Sequence, residues 1–173
     1  MAELGQGRSG PTTLDLVGDG PHLLIGGTTG SGKSELVKTL MLSLACRYGP
    51  EELNCILFDF KGGATFHQLN QLEHSLGLVT DLSQAQAERT LESIRSELIR
   101  REKLFLDADA GDYGEYRSLR PELPLARIVV VIDEFRIFAH ELPETMDELM
   151  RIATLGRSLG LHLILSTQRP QGL

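Results

Sequence analysis

Apolar residues are arranged in two ways along the chain, as short continuous runs and as repeats at helical spacing. Short, continuous apolar runs predict buried strands, and weaker runs predict two further strands. The strong runs are 23–25, 53–58, 128–132 and 161–167, and the weaker ones are 12–16 and 76–80. Between them, apolar residues recur at helical spacing after Lys33, over 83–106 and over 143–159. This alternation predicts an α/β fold with a mostly parallel sheet.

Residues at the ends of the helical segments support their boundaries. The first helix stops before Gly49 and Pro50, and the last begins near Pro143 and ends before Gly160. The apolar face predicted for the first helix consists of Leu36, Val37, Leu40, Met41 and Leu44.

The longest helix is predicted to bury one face and to expose a charged one. Its apolar positions are Leu91, Ile94, Leu98 and Phe105. Glu97 precedes Arg101 by four residues, a spacing at which opposite charges meet on a helix. Segments 1–10 and 111–124 show neither a continuous apolar run nor helical spacing. They are predicted as a polar lead-in and a connection.

Composition places the chain among soluble proteins with one domain. Its 173 residues suffice for one core, and 41% hydrophobic and 24% charged residues are ordinary for a globular domain. No apolar run approaches the ~20 residues of a membrane-spanning helix, and the N-terminus shows no signal-peptide pattern. The net charge of −7 argues against a broad nucleic-acid-binding surface, although a ring could grip DNA through a few residues per subunit. We therefore expect a cytoplasmic protein.

The cysteines and histidines suggest no metal or disulfide chemistry. Cys46 and Cys55 form no CxxC pair, and the five histidines form no HExxH motif. We expect both cysteines to be buried, reduced thiols.

One segment matches a phosphate-binding motif at every fixed position. Residues 27–34 follow the GxxxxGK[ST] pattern, between a predicted strand and a predicted helix. Small residues let backbone N–H groups converge on phosphate oxygens, and the helix adds its positive end. We expect Lys33 to reach the β- and γ-phosphates of ATP and the Ser34 hydroxyl to ligate Mg²⁺. The residues assigned to nucleotide binding are Gly27, Thr28, Thr29, Gly30, Ser31, Gly32, Lys33, Ser34 and Glu35.

An acidic pair follows the strongest predicted strand. Five consecutive β-branched residues, 128–132, lead into Asp133 and Glu134. We expect Asp133 to hold Mg²⁺ through water and Glu134 to polarise the attacking water as general base. Such a pair often marks only the end of a strand. Its place about 100 residues after the phosphate motif favours the catalytic interpretation.

Two polar residues that follow predicted strands are further candidates. Gln168 follows the last strand and is predicted to contact the γ-phosphate or the attacking water. Lys61 comes two residues after Asp59, near the same edge of the sheet, and has no firm role. An ordinary polar loop is the alternative for both.

Five segments occur in a familiar order and spacing: GGTTGSGKSE, FDFKGGATF, VVVIDEF, LGRSLGLHLIL and STQRP. Together they resemble the FtsK/SpoIIIE family of P-loop motor ATPases, over nearly the whole chain from about residue 10. The resemblance implies one domain with a RecA-like P-loop NTPase fold, a three-layer sandwich. It also implies a hexameric ring that binds ATP between subunits and pulls a polymer through its centre.

The resemblance extends to two branches of the family. One branch moves double-stranded DNA, and the EccC/EssC branch drives protein export at the membrane in type VII secretion. Segments 60–66, 97–101 and 156–160 look closer to the secretion branch. A Lys-Gly-Gly like that at 61–63 also occurs in some plasmid-transfer translocases, and 168–170 are shared by both branches.

The family also uses an arginine that reaches into the neighbouring subunit's active site. The resemblance makes Arg157 the candidate and Arg169 the runner-up. The alternative for Arg157 is a surface arginine favoured by the helix dipole. Family modules continue beyond the position of Leu173 with at least one more strand and helix. We therefore expect a domain that is partial at its C-terminus and exposes the edge of its phosphate-loop strand.

Three functional hypotheses stay open. The leading one is an ATP-hydrolysing motor module for protein export, in a homo-hexameric ring attached to a membrane complex. The second is a DNA translocase of the same family, for which DNA would stimulate ATP turnover. The third is a nucleotide-gated interaction module with little turnover. The presence of Lys33, Asp133 and Glu134 together argues against the third.

Overall fold

The computed structural model describes residues 1–60, 65–80 and 84–168. The strands are β1 (Ala2–Gly7), β2 (Gly10–Leu14), β3 (Leu23–Gly26), β4 (Leu53–Asp59), β5 (Ser75–Val79), β6 (Arg127–Asp133) and β7 (Leu161–Thr167). The helices are α1 (Lys33–Ala45), α2 (Gln84–Asp107), α3 (Tyr113–Leu119), α4 (Phe135–Glu141) and α5 (Met146–Leu159). Short 3₁₀ turns cover Leu69–Gln71 and Pro143–Thr145.

A parallel sheet of five strands, in the order β3-β7-β6-β4-β5, forms the centre of the described fold. Every neighbouring pair is parallel, which confirms the predicted sheet. β6 occupies the middle, as its run of β-branched residues from Ile128 to Ile132 predicts. Within the described residues, β3 and β5 lie at the two edges.

Helices cover both faces of this sheet. Val129 and Val131 of β6 pack in one core, whereas Val130 and Ile132 pack in the other, because successive strand residues point to opposite faces. The first core also contains α1 and the β1–β2 hairpin, and the second contains α2, α3, α4 and α5. The result is the three-layer α/β sandwich that the sequence predicts.

The two predicted helical faces are largely confirmed. In α2 the four predicted core residues are buried, and Arg101 joins them there. In α1 the buried apolar residues are Val37, Leu40, Met41 and Leu44. Leu36 is 37% exposed, so its place on this face was wrongly predicted.

The N-terminal segment is not a lead-in. β1 pairs with β2 in an antiparallel hairpin, and the Glu3 backbone N–H donates to Ser43 Oγ of α1 at 2.7 Å. The pairing partner and the contact with α1 outweigh a polar, glycine-rich composition. β2 begins at Gly10, two residues before the strand predicted at 12–16.

The prediction for the two cysteines holds for only one of them. Cys55 is buried in β4, whereas Cys46 is exposed. Cys46 is the C-cap residue of α1 and lies beyond the buried face of the helix. Burial raises the pKa of the Cys55 thiol to about 11.

Two short helices occupy segments for which no helix was predicted. α3 lies inside the predicted connection 111–124, where the Asp112 side chain caps it by accepting from the Glu115 N–H at 2.9 Å. α4 begins directly after Glu134. Among the described residues, no helix combines the length and apolar character needed to cross a membrane.

Candidate functional site

Most of the predicted site residues converge where the strands of the sheet end. The carboxyl ends of parallel strands share one edge, which is where ligands bind in open α/β sheets. Here β3 leads into the phosphate motif, β4 ends at Asp59, β6 ends at Asp133 and β7 leads to Gln168. The strand register places Gly26 opposite Thr167 and Asp59 opposite Asp133. We call this side of the molecule the carboxyl edge.

The phosphate motif, residues 27–34, has the backbone expected of a loop that encloses an anion. A Cβ atom added at Gly27 would lie 2.5 Å from Ser31 Oγ, so the Ser31 side chain would have to move. Gly32 precedes α1 with a φ of 90°, a conformation that favours glycine. Within the part of the chain that the structure describes, no side chain caps the N-terminus of α1. Its first backbone N–H groups can therefore donate to a phosphate.

Lys33 lies inside the loop that it is predicted to serve. Its side chain is largely buried, and Nζ donates to the backbone oxygens of Gly27 at 2.7 Å and Thr28 at 3.0 Å. An ammonium group has three donors, so Lys33 can also donate to a phosphate held by the loop. Glu35 is exposed and its carboxylate pairs with Lys38 at 2.8 Å. Only the backbone of Glu35 therefore belongs with the loop.

Asp133 connects the phosphate loop with the central strands. It is fully buried, and Oδ2 accepts from the Ser34 hydroxyl at 3.0 Å. Oδ1 accepts from the Glu134 N–H at 3.0 Å and from the Ser166 hydroxyl. Hydroxyl and carboxylate oxygens are the ligands that Mg²⁺ prefers. Ser34 and Asp133 therefore fit the predicted metal by type and by their proximity.

Glu134 has a strained backbone. Its φ of 54° and ψ of 48° are left-handed, although it is not a glycine. Such a conformation costs about 1–3 kcal/mol and occurs preferentially at functional sites. It ends β6 abruptly and starts α4, and it holds a carboxylate that is 2% exposed beside the phosphate loop.

Gln168 joins Glu134 to the phosphate loop. Its Nε2 donates to both carboxylate oxygens of Glu134, at 3.0 and 3.1 Å. Its Oε1 accepts from the Thr29 hydroxyl at 3.1 Å. The last strand and the phosphate motif, 139 residues apart in sequence, therefore meet through one side-chain amide.

Open space adjoins this group. A cavity of about 560 Å³ is lined by Glu134, Gln168 and α4 residues that include Arg136 and His140. Two other cavities, of about 530 and 380 Å³, lie away from the phosphate motif. The cavity beside Glu134 leaves room for a water or a phosphate to approach the carboxylate.

The structure does not bring Arg157 to this site. Arg157 is exposed in the last turn of α5, just before β7 begins at Leu161. That turn lies where the strands start, because Leu161 is opposite Ile128 at the beginning of β6. Arg157 is therefore at the far end of the sheet from its own phosphate loop. Lys61 and Arg169 lie outside the described residues.

Two buried residues of the carboxyl edge had no predicted role. Ser166 is fully buried and donates to Asp133, and its only sequence signal is a hydroxyl near the end of a buried strand. Asp59 is also fully buried and accepts from the Thr65 N–H at 3.0 Å. The Ser166 contact joins residues 33 positions apart in sequence, whereas Asp59 is identified by its burial and by its register opposite Asp133.

Known proteins resemble this chain over most of its length. The FtsK/SpoIIIE family matches residues 3–172. The chain is 42% identical over 158 residues to the type VII secretion system protein EssC of Staphylococcus aureus, covering 89% of this chain and 11% of that protein. It is 40% identical over 176 residues to the ESX secretion system protein EccC of Geobacillus thermodenitrificans, covering 97% and 12%. The chain thus spans about a tenth of the length of these relatives.

Solved structures share the fold. The cytoplasmic domain of the type VII secretion ATPase EccC of Thermomonospora curvata superposes with a TM-score of 0.87 at 36% identity, covering 98% of this chain and 21% of that one. EccC ATPases 2 and 3 of that organism, in complex with a signal sequence peptide, give 0.84 at 27% identity, covering 92% and 29%. The pCW3 conjugation coupling protein TcpA with ATPγS gives 0.79 at 27% identity, covering 98% and 48%.

The family match covers nearly all of the chain, and so does the structural similarity. The chain belongs to the FtsK/SpoIIIE family of P-loop ATPases.

Proposed function

We propose that the carboxyl edge binds Mg-ATP and hydrolyses its γ-phosphate. One observation carries this proposal: Ser34, Asp133, Glu134, Gln168 and Thr29 form hydrogen-bonded contacts around the mouth of the phosphate loop. A loop that only turned a strand into a helix would not need two buried carboxylates beside it. The ATPγS-bound conjugation coupling protein of similar fold supports nucleotide binding.

Residues 27–35 hold the nucleotide in this proposal. Their backbone N–H groups and the N-terminus of α1 bind phosphate oxygens, and Lys33 turns one donor toward the β- and γ-phosphates. Ser34, together with Asp133 through water, would hold a Mg²⁺ ion, which neutralises charge on the phosphates when bound.

Glu134 is the general base. Its carboxylate accepts a proton from a water molecule, whose oxygen forms a bond to the γ-phosphorus. The bond from the γ-phosphorus to the bridging oxygen breaks, and ADP and inorganic phosphate leave. The strained backbone and the bidentate contact with Gln168 support this role, because they fix the carboxylate before substrate arrives. Gln168 positions the water or the γ-phosphate.

A neighbouring subunit completes the site. Arg157 is exposed and lies at the opposite end of the sheet from its own loop, so it can act only in another copy. A head-to-tail arrangement of copies closes into a ring, and we propose a hexamer with Arg157 as the arginine supplied in trans. Arg169 is the alternative arginine.

The transported polymer is a secreted protein in the leading version of this proposal. The relatives named EssC and EccC, at 42% and 40% identity, support an export motor on the cytoplasmic face of a membrane complex. The signal sequence peptide bound to an EccC of similar fold supports a protein substrate. DNA transfer is the second candidate, favoured by the similarity to a conjugation coupling protein.

The decisive experiment measures ATP turnover by the full-length protein, with Glu134→Gln as the blank. Turnover that exceeds the blank and does not respond to long duplex DNA supports the export motor. Strong stimulation by DNA overturns export in favour of DNA translocation. Turnover equal to the blank overturns the hydrolytic proposal and leaves a nucleotide-gated interaction module.

A further inference from the structure

A continuous chain of side-chain hydrogen bonds runs from the phosphate loop to the proposed base. The Thr29 hydroxyl donates to Gln168 Oε1 at 3.1 Å, and Gln168 Nε2 donates to both oxygens of Glu134. The direction of this chain follows from chemistry. A carboxylate only accepts, so the amide nitrogen faces Glu134, and the amide oxygen then requires a donor at Thr29.

Gln168 needs both contacts to keep a single position. It lies just past the end of β7 and is only half-buried, so little packing restrains its long side chain. Holding such a side chain in one rotamer costs conformational entropy. Glu134 anchors only the amide nitrogen, and Thr29 anchors the oxygen from the opposite side.

The neighbouring threonine makes a different contribution. Thr28 offers its backbone oxygen to Lys33 Nζ at 3.0 Å. Among the described residues, its hydroxyl makes no hydrogen bond to the Gln168 amide, whose oxygen is bound by Thr29. Of the two adjacent threonines, Thr29 has a hydroxyl that bonds to Gln168, and Thr28 therefore offers a matched control.

We propose that Thr29 is a positioning residue for hydrolysis, which acts through Gln168 on Glu134. The inference rests on the proposed role of Glu134 as general base. Thr29 holds the Gln168 amide with its nitrogen toward the base and its oxygen toward the phosphate loop. The orientation of the base is thereby tied to the conformation of the loop that receives ATP.

Kinetics of the full-length protein test this role. Thr29→Val should lower kcat for ATP about 3–10-fold, the effect of losing one neutral hydrogen bond, and change KM less than two-fold. Thr29→Ser keeps the hydroxyl and should restore kcat. A Thr29→Val variant with raised KM and unchanged kcat would overturn the proposal, because Thr29 would then serve only to bind nucleotide.

A double-mutant cycle shows whether Thr29 acts through Gln168. In a Gln168→Ala background, Thr29→Val should cause no further loss of kcat, since the amide is already gone. Thr28→Val is the matched control, because its fold-change in kcat should multiply with that of Gln168→Ala. If the fold-changes in kcat for Thr29→Val and Gln168→Ala also multiply, the proposal is contradicted.

A measurement without hydrolysis separates this inference from the proposed function. In the nucleotide-free protein, NMR of the Gln168 side-chain amide should show its two protons shifted by the carboxylate contact. Thr29→Val should move them toward free-amide values, and Thr29→Ser should not. Identical Gln168 resonances in Thr29→Val and wild type would overturn the inference. This readout holds even for a protein that shows no ATP turnover.

Discussion

Charged side chains are buried at both ends of the parallel strands, but their surroundings differ between the two ends. At the carboxyl edge, Lys33, Asp133 and Glu134 surround a loop of uncapped N–H groups and an open cavity of about 560 Å³. At the opposite side, where the strands begin, a group of side chains contacts backbone oxygens and one another. It consists of Arg101, Tyr113, Arg127 and His162. We call this second group the amino edge.

Arg101 shows how the amino edge satisfies a charge. It is 2% exposed, and its guanidinium donates to the Leu159 oxygen at 2.9 Å, the Ala126 oxygen at 2.7 Å and Glu97 at 2.8 Å. These bonds tie α2 to the end of α5 and to the start of β6. All three nitrogens of the guanidinium have partners within the chain.

The aromatic and imidazole groups at the amino edge are held in the same way. The Arg127 guanidinium lies 4.0 Å from the centre of the Tyr113 ring and donates to His162 Nε2 at 3.2 Å. An arginine can only donate, so Nε2 accepts and Nδ1 donates to the Pro21 oxygen at 2.9 Å. Burial, aided by Arg127, lowers the pKa of His162 to about 4.

A perturbed pKa therefore does not by itself mark a catalytic site. Burial lowers the pKa values of Arg101 and Arg127 and raises that of Tyr113, far from the phosphate loop. The carboxyl edge is distinguished by donors and acceptors that face common open space, and by the strained Glu134 beside it. Changes at the amino edge should therefore affect stability, and changes at the carboxyl edge should affect turnover.

The largest expected effect is on turnover at the carboxyl edge. Glu134→Gln should lower kcat about 10²–10⁴-fold and keep ATP binding, because only the proton acceptor is lost. A steady-state hydrolysis assay measures kcat, and a nucleotide titration measures ATP binding. Glu141→Gln is the control, since Glu141 lines the same cavity from the exposed end of α4. Equal losses in both variants would contradict the assignment of Glu134.

Arg101→Met should have the largest effect on stability. It removes a buried cation and leaves the Leu159 and Ala126 oxygens without their donors, at a cost of about 3 kcal/mol in the free energy of unfolding. Urea denaturation measures this. Arg100→Met is the matched control, because Arg100 contacts the same Glu97 from an exposed position and should cost less than about 1 kcal/mol. A stable Arg101→Met protein with weak ATP affinity would reverse the proposed contrast between the edges.

His162 should make stability depend on pH. Its pKa is lowered in the folded protein, so the unfolded chain binds more protons and stability falls as pH drops from about 6.5 toward 4. The loss from this group is up to about 3 kcal/mol. His162→Gln should weaken the pH dependence of the urea midpoint over that range, whereas His140→Gln, at an exposed position, should not. A wild-type slope that persists in His162→Gln would assign the effect to other groups.

The smallest expected effect is at Ser166. Ser166→Ala removes a buried hydroxyl that donates to Asp133, and should lower kcat about 3–10-fold with a stability loss of about 1 kcal/mol. Hydrolysis assays and urea denaturation measure both. The exposed Ser158 hydroxyl donates to a carbonyl of its own helix, so Ser158→Ala should change neither. Unchanged turnover in Ser166→Ala would show that Asp133 needs no support from β7.

Much of the fold was predictable because local pattern and tertiary environment agree. The β-branched run 128–132 forms the central strand, and the strand predicted at 161–167 matches β7. The phosphate motif was predictable because its fixed residues lie within eight consecutive positions. Gly30 and Gly32 adopt positive φ, and Lys33 and Ser34 follow at the spacing of the motif. The proximity of Asp133 to Ser34 followed from the rule that parallel strands end at one edge.

The errors arise where distant contacts outweigh local pattern. β1 exists because it pairs with β2 and packs on α1, although its own residues are polar and glycine-rich. α3 could have been recognised from its Asp112 cap and Glu115, a helix-start signal inside a segment otherwise rich in turn residues. Cys46 is exposed because α1 ends there, which hydrophobicity alone does not reveal.

The amino-acid sequence was sufficient to predict the fold class, the phosphate loop, the acidic pair and the family, because these depend on residue type at fixed local spacing. The contacts between distant segments reveal that Gln168 bridges Thr29 and Glu134, and that Arg157 lies away from its own loop. They also reveal that Arg101 is buried rather than part of a solvated helix face. These properties depend on which segments the fold brings together, and residues far apart in sequence carry no local signal of their contact.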